Sequence, residues 1–454
     1  MRIIIVGAGE VGFHIAQRLA LEHKEVVVID KRQEALKRFI DLLDVKTIHG
    51  SGSNPRILED SGLKGAETFL AVTDSDEINL VACLFANAIS PGILKLARIR
   101  DVDYSRHWSD LVQQHLAIHT IINPEIEVVK TISKSLELPG VEHVSDFAEG
   151  RIKLIGLHIA GTSPVIGVRL QDLRTKTANL RFILAAIFRG DRLIVPAGRD
   201  RIQKGDFAYF VCGAHDLENV LDVFGRRKEP IRNVLIVGGG NIGFRLAESL
   251  EHRNYHVRMI EIDRMRCEFL AEHLQRTIVL HGDGTDQNLL QEENIQEMDV
   301  AISLMGNEES NVLASLLAKS LGTKRTITRI NKFHYIPILD TIGLDQIVSP
   351  RLSAINSILL HVRKGKVLST VSLKGDQAEV LEAVALETSG IVDKPLKDMH
   401  FPKDAILLAI LREDEYIIPN GDTVVRSGDR VIILSTRQNI PRIEKELMVT
   451  FEYF

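Results

Sequence analysis

The sequence predicts an α/β protein made of two doubly wound parallel-sheet units, each followed by a small α+β module. Three observations predict it. A glycine-rich turn between a strand and a helix begins at Gly7 and recurs 231 residues later at Gly238. Each turn opens a stretch where short, fully apolar runs alternate with helical patterns, as in a parallel sheet covered on both faces. A second repeat follows each stretch: AAIFRGDRLIVPAG at 185–198 and LAILREDEYIIPNG at 408–421. The order is therefore A–B–A′–B′, with segments at 1–130, 140–226, 231–356 and 368–454.

In A, β-branched runs at 3–6, 26–29, 45–48, 68–72 and 94–99 are the expected strands. Helical spacing occupies 12–22, 32–43, 54–62 and 77–89 between them. Right-handed crossovers would place those helices on both faces of one sheet. A′ echoes A beyond its first turn. His49-Gly50-Ser51-Gly52 matches His281-Gly282-Asp283-Gly284, and Asp76-Glu77-Ile78-Asn79 matches Glu308-Glu309-Ser310-Asn311. Ala97-Arg98-Ile99 matches Thr328-Arg329-Ile330. Module B carries strand patterns at 152–159, 182–187, 192–195 and 207–211 and a closing helix at 214–224. Its repeated Arg189/Arg412, Asp191/Asp414 and Gly205-Asp206/Gly428-Asp429 read as turn chemistry. Leu138-Pro139-Gly140, Gly225–Pro230 and Lys364-Gly365-Lys366 are the candidate joints, where turn formers or charges interrupt the apolar pattern.

Composition agrees with several soluble domains. A chain of 454 residues exceeds the roughly 250–300 at which single cores stop growing. A net charge of −5 argues against a nucleic-acid binder relying on a global positive field. Cys83, Cys212 and Cys267 form no C-x-x-C pair and no disulfide framework, so a reducing cytosol is expected. No apolar run approaches the roughly 18–20 residues of a membrane span. The longest, Phe182–Phe188 and Ala405–Leu411, have strand length. No signal peptide is read at the start, and a membrane role would come through a partner.

The chemistry sits in the glycine turns. In Gly7-Ala8-Gly9-Glu10-Val11-Gly12, Gly7 allows the tight turn, Gly9 lets a pyrophosphate approach the backbone, and Gly12 lets the helix pack on the sheet. The helix start supplies free N–H donors and partial positive charge for phosphate. Asp30 follows Gly12 by 18 residues, at the end of the second strand. A carboxylate there can hydrogen-bond an adenosine ribose. The plain alternatives are a ligand-free turn and a solvated strand end. Gly238, Gly239, Gly240, Asn241 and Ile242, with Gly243 and Glu261, repeat the pattern. For this copy the alternative is a scaffold that binds nothing. Ser51, Gly52, Thr73, Asp74, Asp283 and Gly284 follow strand ends, on the edge where such sheets bind ligands; ordinary loop chemistry accounts for them equally. Arg98 and Arg329 end strands and suit either a phosphate or an ion pair to a neighbouring unit.

Other chemistry is unsupported. His115 and His119 have helical spacing but no third ligand for a metal. There is no G-x-x-x-x-G-K-[ST] loop and no G-x-S-x-G elbow. Nothing in module B resembles a general base held near a substrate. The reading is non-enzymatic, with no catalytic residue and no metal; the alternative is an NAD-dependent oxidoreductase with an unrecognised substrate site.

The whole arrangement resembles the tandem RCK (regulator of potassium conductance) proteins of Trk-type potassium uptake systems, over essentially all 454 residues. The segments that carry the resemblance are IIIVGAGEVG at 3–12, AVTDSDEINLVA at 71–82, SDFAEG at 145–150 and NVLIVGGGNIG at 233–243. It implies Rossmann-like RCK_N units followed by RCK_C modules. It also implies a regulatory cytoplasmic subunit, peripheral on the cytoplasmic face of the inner membrane and assembled as a homo-tetramer. Such a ring would bind NAD/NADH or ATP/ADP and gate a membrane potassium-translocating subunit of the TrkH/TrkG type. Carried over by motif, the first pocket uses Gly7–Val11, Asp30, Ser51, Gly52, Thr73, Asp74 and Arg98. The second uses Gly238–Ile242, Glu261, Asp283, Gly284 and Arg329. One departure stands out: Val72-Thr73-Asp74 in the first unit becomes Leu304-Met305-Gly306 in the second.

Overall fold

The structure, a computed structural model, describes residues 2–447 apart from 102, 105–115, 139–140, 178–179, 191, 227–229, 333–341, 363–366, 374–376, 400–401, 403 and 414. His115, Pro139-Gly140, Asp191, Lys364-Gly365-Lys366 and Asp414 lie outside the described residues.

The first half begins with β1 (Arg2–Val6), α1 (Glu10–Leu21), β2 (Glu25–Asp30), α2 (Gln33–Leu42), β3 (Lys46–His49) and α3 (Pro55–Asp60). It continues with β4 (Thr68–Ala71), α4 (Asp76–Ile89), β5 (Leu94–Arg98), β6 (Thr120–Ile122) and α5 (Pro124–Glu137). The sequence reading did not assign β6 and α5. The signal for α5 was present: Asn123 caps it, accepting from Glu125 N at 3.0 Å, and Pro124 opens it. The strands run parallel in the order β3-β2-β1-β4-β5-β6. Ile3, Ile4 and Ile5 are all fully buried, because both faces of β1 are covered. The chain leaves β1 toward β2 on one side and returns to β4 on the other. That reversal opens a crevice at the carboxyl ends of β1 and β4.

The first module contains β7 (His143–Phe147), β8 (Ile152–His158), α6 (Leu170–Lys176), β9 (Phe182–Arg189), β10 (Arg192–Ile194), β11 (Phe207–Gly213) and α7 (Leu217–Val223). Its antiparallel sheet has the order β10-β9-β11-β8-β7. Sequence reading missed β7, whose Ser145 and Asp146 have low strand propensity, and the short α6. The repeated polar residues are more than turn chemistry. Arg189 donates twice to the buried Asp206, at 2.8 and 2.9 Å, and Arg412 does the same to Asp429 at 3.0 and 2.8 Å. Each carboxylate also accepts a turn amide, from Gln203 or Arg426, at 2.8 Å. The fork geometry ties the turn to the strand.

The second half repeats the first. It contains β12 (Asn233–Val237), α8 (Asn241–Glu251), β13 (His256–Glu261), α9 (Arg264–His273), β14 (Ile278–His281) and α10 (Gln287–Glu292). Then come β15 (Val300–Ser303), α11 (Glu308–Ser320), β16 (Thr326–Arg329), β17 (Gln346–Val348) and α12 (Pro350–Val362). The parallel order is β14-β13-β12-β15-β16-β17. The second module, β18 (Val367–Ser372), β19 (Ala378–Val384), β20 (Ala405–Arg412), β21 (Glu415–Ile417), β22 (Arg430–Thr436) and α13 (Ile440–Leu447), keeps the first module's strand order. The expected fold class is thus present in both halves.

Like associates with like. One compact unit joins residues 1–133 to 232–362, and the other joins 134–231 to 363–454. In the first unit, α12 packs on α1 of the opposite half. Ala354, Ile355, Ile358 and Leu359 share a core with Ile3, Phe13, Ala16 and Leu19. Arg18 Nη1 on α1 donates to Asn356 Oδ1 on α12 at 3.3 Å. In return, Glu125 at the start of α5 lies 3.9 Å from Arg245 on α8. In the second unit, Phe147, Leu154 and Tyr209 share a core with Val380, Ala409 and Ile432. Arg430 Nη1 donates to Glu149 at 2.7 Å and Arg430 Nε to the buried Glu382 at 2.8 Å.

Ile358 is fully buried in a core made largely by the other half. Ile358→Ala should therefore cost about 2–5 kcal/mol. It should lower the urea midpoint and speed amide exchange in α1, more than two hundred residues away in sequence. An unchanged midpoint would show that the exchanged helix contributes nothing to the first sheet's core.

Candidate nucleotide-binding crevices

Three glycines shape the first crevice. Gly7 has φ +115°, and a Cβ there would stand 2.9 Å from Thr73 N. At Gly12 a Cβ would meet Gly7 O at 2.0 Å, so the first turn of α1 lies directly against the turn that precedes it. At Gly9 a Cβ would meet nothing within 4 Å. The helix start consequently faces open space. No side chain caps α1, although Asn54 caps α3 and Ser75 caps α4. The uncapped amides and the helix dipole leave an anion-binding end.

A cavity of about 480 Å³ occupies this position, within the range of small-molecule sites. The residues expected from sequence converge on it. Gly7 and Gly9 line it from the loop, Glu10 and Val11 from the start of α1, Asp30 from β2, Ser51 and Gly52 after β3, Thr73 and Asp74 after β4, and Arg98 from β5. Ala8 does not line it; its N–H donates to Asp30 Oδ2 at 2.7 Å. Asp30 Oδ1 also accepts from Arg32 N at 2.8 Å. The acid therefore fixes the glycine loop as well as facing the cavity. Arg98, 13% exposed, donates from Nη1 to Asp74 Oδ1 at 3.0 Å. Its Nε is buried with no hydrogen-bond partner among the described residues. An orphaned guanidinium donor beside an uncapped helix start fits an anionic ligand.

The second crevice reproduces the frame. Gly238 has φ +107°, Gly243 would clash with Gly238 O at 2.0 Å, and Gly240 faces open space. Gly239 N donates to Glu261 Oε2 at 2.7 Å, while Ile262 N and Asp263 N donate to Oε1 at 2.8 and 3.0 Å. No side chain caps α8, which starts at Asn241 and Ile242. Asp283 accepts from Thr285 N at 2.8 Å, and Gly284 packs on Val237. Arg329 Nε is buried without a partner, like Arg98 Nε. Burial pushes the Arg329 guanidinium below its ordinary pKa, while the charges of Glu125 and Glu308 oppose that shift.

Each half contains a device that the sequence showed only as a repeat. The side chain of the fully buried Asn79 accepts from Thr73 N at 3.0 Å and donates to Arg98 O at 2.8 Å. Asn311 accepts from Met305 N at 2.7 Å and donates to Arg329 O at 3.1 Å. One amide thus latches the loops after two neighbouring strands. His119 Nδ1 accepts from Lys95 N at 3.1 Å, and no group of His, Cys, Asp and Glu is placed to hold a metal among the described residues.

Sequence-family models agree with this frame. The model of the TrkA-N domain matches residues 3–124 and 234–350, and that of the TrkA-C domain matches 157–225 and 380–448. The chain belongs to the TrkA family. Within that family it is 36% identical to the Trk system potassium uptake protein TrkA of Azorhizobium caulinodans over 458 residues, with 100% of both chains covered. It is 35% identical to that of Halomonas elongata, again with 100% of both covered. It is 37% identical to TrkA homolog 1 of Methanosarcina mazei, covering 98% of this chain and 99% of the relative. Among solved structures, the GsuK RCK domain matches with a TM-score of 0.60 at 16% identity, covering 98% of this chain and 94% of that one. The GsuK channel bound to NAD gives 0.61 at 16%, covering 96% and 77%. At that identity the likeness is one of fold.

Lys31, Arg32, Ser75, Ile78 and Arg351 also line the first cavity of this TrkA-family chain. Sequence reasoning missed them. Arg351 lies on α12 and belongs to the other half, where no motif marks it. The glycine geometry separates two substitutions. Gly9→Val, at an extended position (φ −77°) with open space around it, should leave the unfolding free energy within about 0.5 kcal/mol. Gly12→Ala should lower it by about 1–3 kcal/mol through forced displacement of α1. Chemical denaturation of both variants checks this; equal stabilities would contradict the packing described.

Proposed function

We propose that this chain is a nucleotide-binding regulatory subunit of a Trk-type potassium uptake system. In this reading it works peripherally on the cytoplasmic face of the membrane and gates a potassium-translocating subunit of the TrkH/TrkG type as a homo-tetrameric ring. The observation that carries the reading is the first crevice, where an uncapped helix start, a second-strand carboxylate and an orphaned arginine line one cavity, with the same parts repeated at Gly240, Glu261 and Arg329 in the second half. Family membership supplies the physiological setting. The frame suits NAD or NADH and, through their shared adenosine diphosphate portion, ATP or ADP. Pyrophosphate would lie on the amides at Gly9 and Gly240, and the ribose hydroxyls would meet Asp30 and Glu261. Among the described residues, no helix is long and apolar enough to cross a membrane.

A ligand gates a distant pore only by binding two ring conformations with different affinities. A differential of about 1–3 kcal/mol per site is the usual scale. The path begins at α1, which holds the phosphate end of the first crevice and packs on α12 of the other half. A shift of α1 therefore reaches the second sheet without passing through solvent.

Calorimetry with NAD, NADH, ATP and ADP should show saturable binding, and NADH should not be consumed with a panel of metabolites. Steady turnover would favour an oxidoreductase. In vesicles holding the potassium-translocating subunit, the parent chain should make potassium flux nucleotide-dependent. Gly9→Val should keep the oligomer and its docking but lose the response assigned to the first crevice. If Gly9→Val abolished binding there and flux still responded normally, the sensor would be the crevice at Gly238–Gly243.

A further inference from the structure

The two small modules share a frame but fill it differently. Ser163 Oγ donates to Phe224 O at 2.7 Å, and Ser389 Oγ donates to Leu447 O at 3.0 Å, so the closing helices α7 and α13 end on the same tether. The strand register agrees: Phe182 pairs with Cys212 as Ala405 pairs with Ser435. Phe182, Phe210 and Phe224 of the first module therefore match Ala405, Ile433 and Leu447 of the second. The three phenylalanines form one cluster. The Phe210 and Phe224 rings stack with centroids 4.9 Å apart, and Phe182 meets them edge-on at 6.4 and 6.0 Å.

The second module has a cavity of about 210 Å³ at these positions. Ile391, Met399, Ile433, Ile443 and Leu447 give it an apolar wall, while its polar lining residues Lys394, Asp398 and Glu446 are exposed. The matching residues of the first module, Val165, Leu173, Phe210, Val220 and Phe224, belong to one packed core. Gly390, also in the wall, matches Pro164. The cavity thus lies where rings have been exchanged for smaller side chains. An apolar cavity of roughly 150 Å³ takes up a benzene ring. This one is large enough for an aromatic side chain.

The chain runs on from Leu447, itself a wall residue, into a segment that holds Phe451, Tyr453 and Phe454. In the first module the chain turns away at once. Gly225 has φ +75°, and Arg226 N donates to Leu221 O at 2.9 Å. Met448 stands at the position of Gly225, and a methionine disfavours that left-handed turn. Phe451 follows Leu447 by four residues, which span up to about 14 Å. Its ring can therefore reach back into a cavity that Leu447 lines. We propose that residues 448–454 dock in this cavity and supply the aromatic side chains that the second module's core lacks. The segment is tethered to the module without being a strand of its sheet, so it serves as an intramolecular ligand.

The test uses the full chain labelled at its methionine methyl groups. Met399 lies in the cavity wall, and a ring docked against it shifts its methyl resonance, which is assigned through Met399→Leu. Phe451→Ser, Tyr453→Ser and Phe454→Ser, made together, should move that resonance and leave the circular dichroism unchanged. A peptide of residues 448–454, added to this triple variant, should bind saturably and return the resonance toward its parent position. The parent chain should bind the same peptide at least roughly tenfold more weakly, because its tethered copy competes at high effective concentration. Ile433→Phe, added to the triple variant, restores the ring found at Phe210 and should weaken the peptide roughly tenfold or more. A Met399 resonance that the triple replacement leaves in place would overturn the proposal. Peptide binding that Ile433→Phe does not weaken would overturn it too. Should Ile433→Phe lose the fold, the resonance in the triple variant still decides.

Discussion

At Gly12 there is room for a hydrogen and nothing larger, because Gly7 O lies where a Cβ would be. Much of the first unit depends on that contact. It sets the angle at which α1 leaves the sheet, and so aims the uncapped amides at the end of β4. It also brings the far side of α1 to where Phe13, Ala16 and Leu19 meet α12. Gly243 imposes the same constraint on α8. Two carboxylates then hold what the glycines allow, Asp30 at Ala8 N and Glu261 at Gly239 N. The loop amides would otherwise be orphaned as the chain turns. The shape of the crevice and the packing of the core thus share one backbone, so the crevice is preorganised by the same contacts that stabilise the sheet.

Much of this was legible in the residues because the glycine motif reports local sterics. A strand, a left-handed glycine, a close approach and an acid at the next strand end leave few arrangements open. The apolar runs fixed the strands for a similar reason: buried on both faces, they admit a polar residue only where hydrogen bonds satisfy it, as at Lys95 and Thr328. What escaped notice depends on residues far apart in sequence. Arg351 looks like any surface arginine until α12 crosses to the other half. Asn79 is an unremarkable helical residue until its amide reaches two loops at once. Asp30 reads as a ligand acid, yet its hydrogen bonds to Ala8 N and Arg32 N show that it also fixes the loop. No composition rule separates those two jobs, since both require a carboxylate at the same place.

The small modules teach a related lesson. Gly205-Asp206 and Gly428-Asp429 have turn composition, and they are turns. Their carboxylates are nevertheless 1% and 2% exposed, each gripped by an arginine from the neighbouring strand. A buried charge is tolerated there because it is paired and hydrogen-bonded on several sides. The missed β7 shows the converse. Its Asp146 sits between Lys153 on the neighbouring strand and Lys134 on α5, at 2.5 and 2.7 Å, so polar residues that weaken a strand by propensity can fasten it through ion pairs across the sheet and to the helix before it.

The exchange of α5 and α12 also bears on how such a molecule can evolve. Two copies of a half-length chain pairing about a twofold axis would present the same residue at both crossing positions, so both sites would change together with every mutation. Joining the copies in one polypeptide breaks that obligation. One crossing position can become glutamate while its counterpart becomes arginine, as Glu125 and Arg351 have. The duplicated chain keeps the geometry of a symmetric dimer while its two halves are free to diverge chemically.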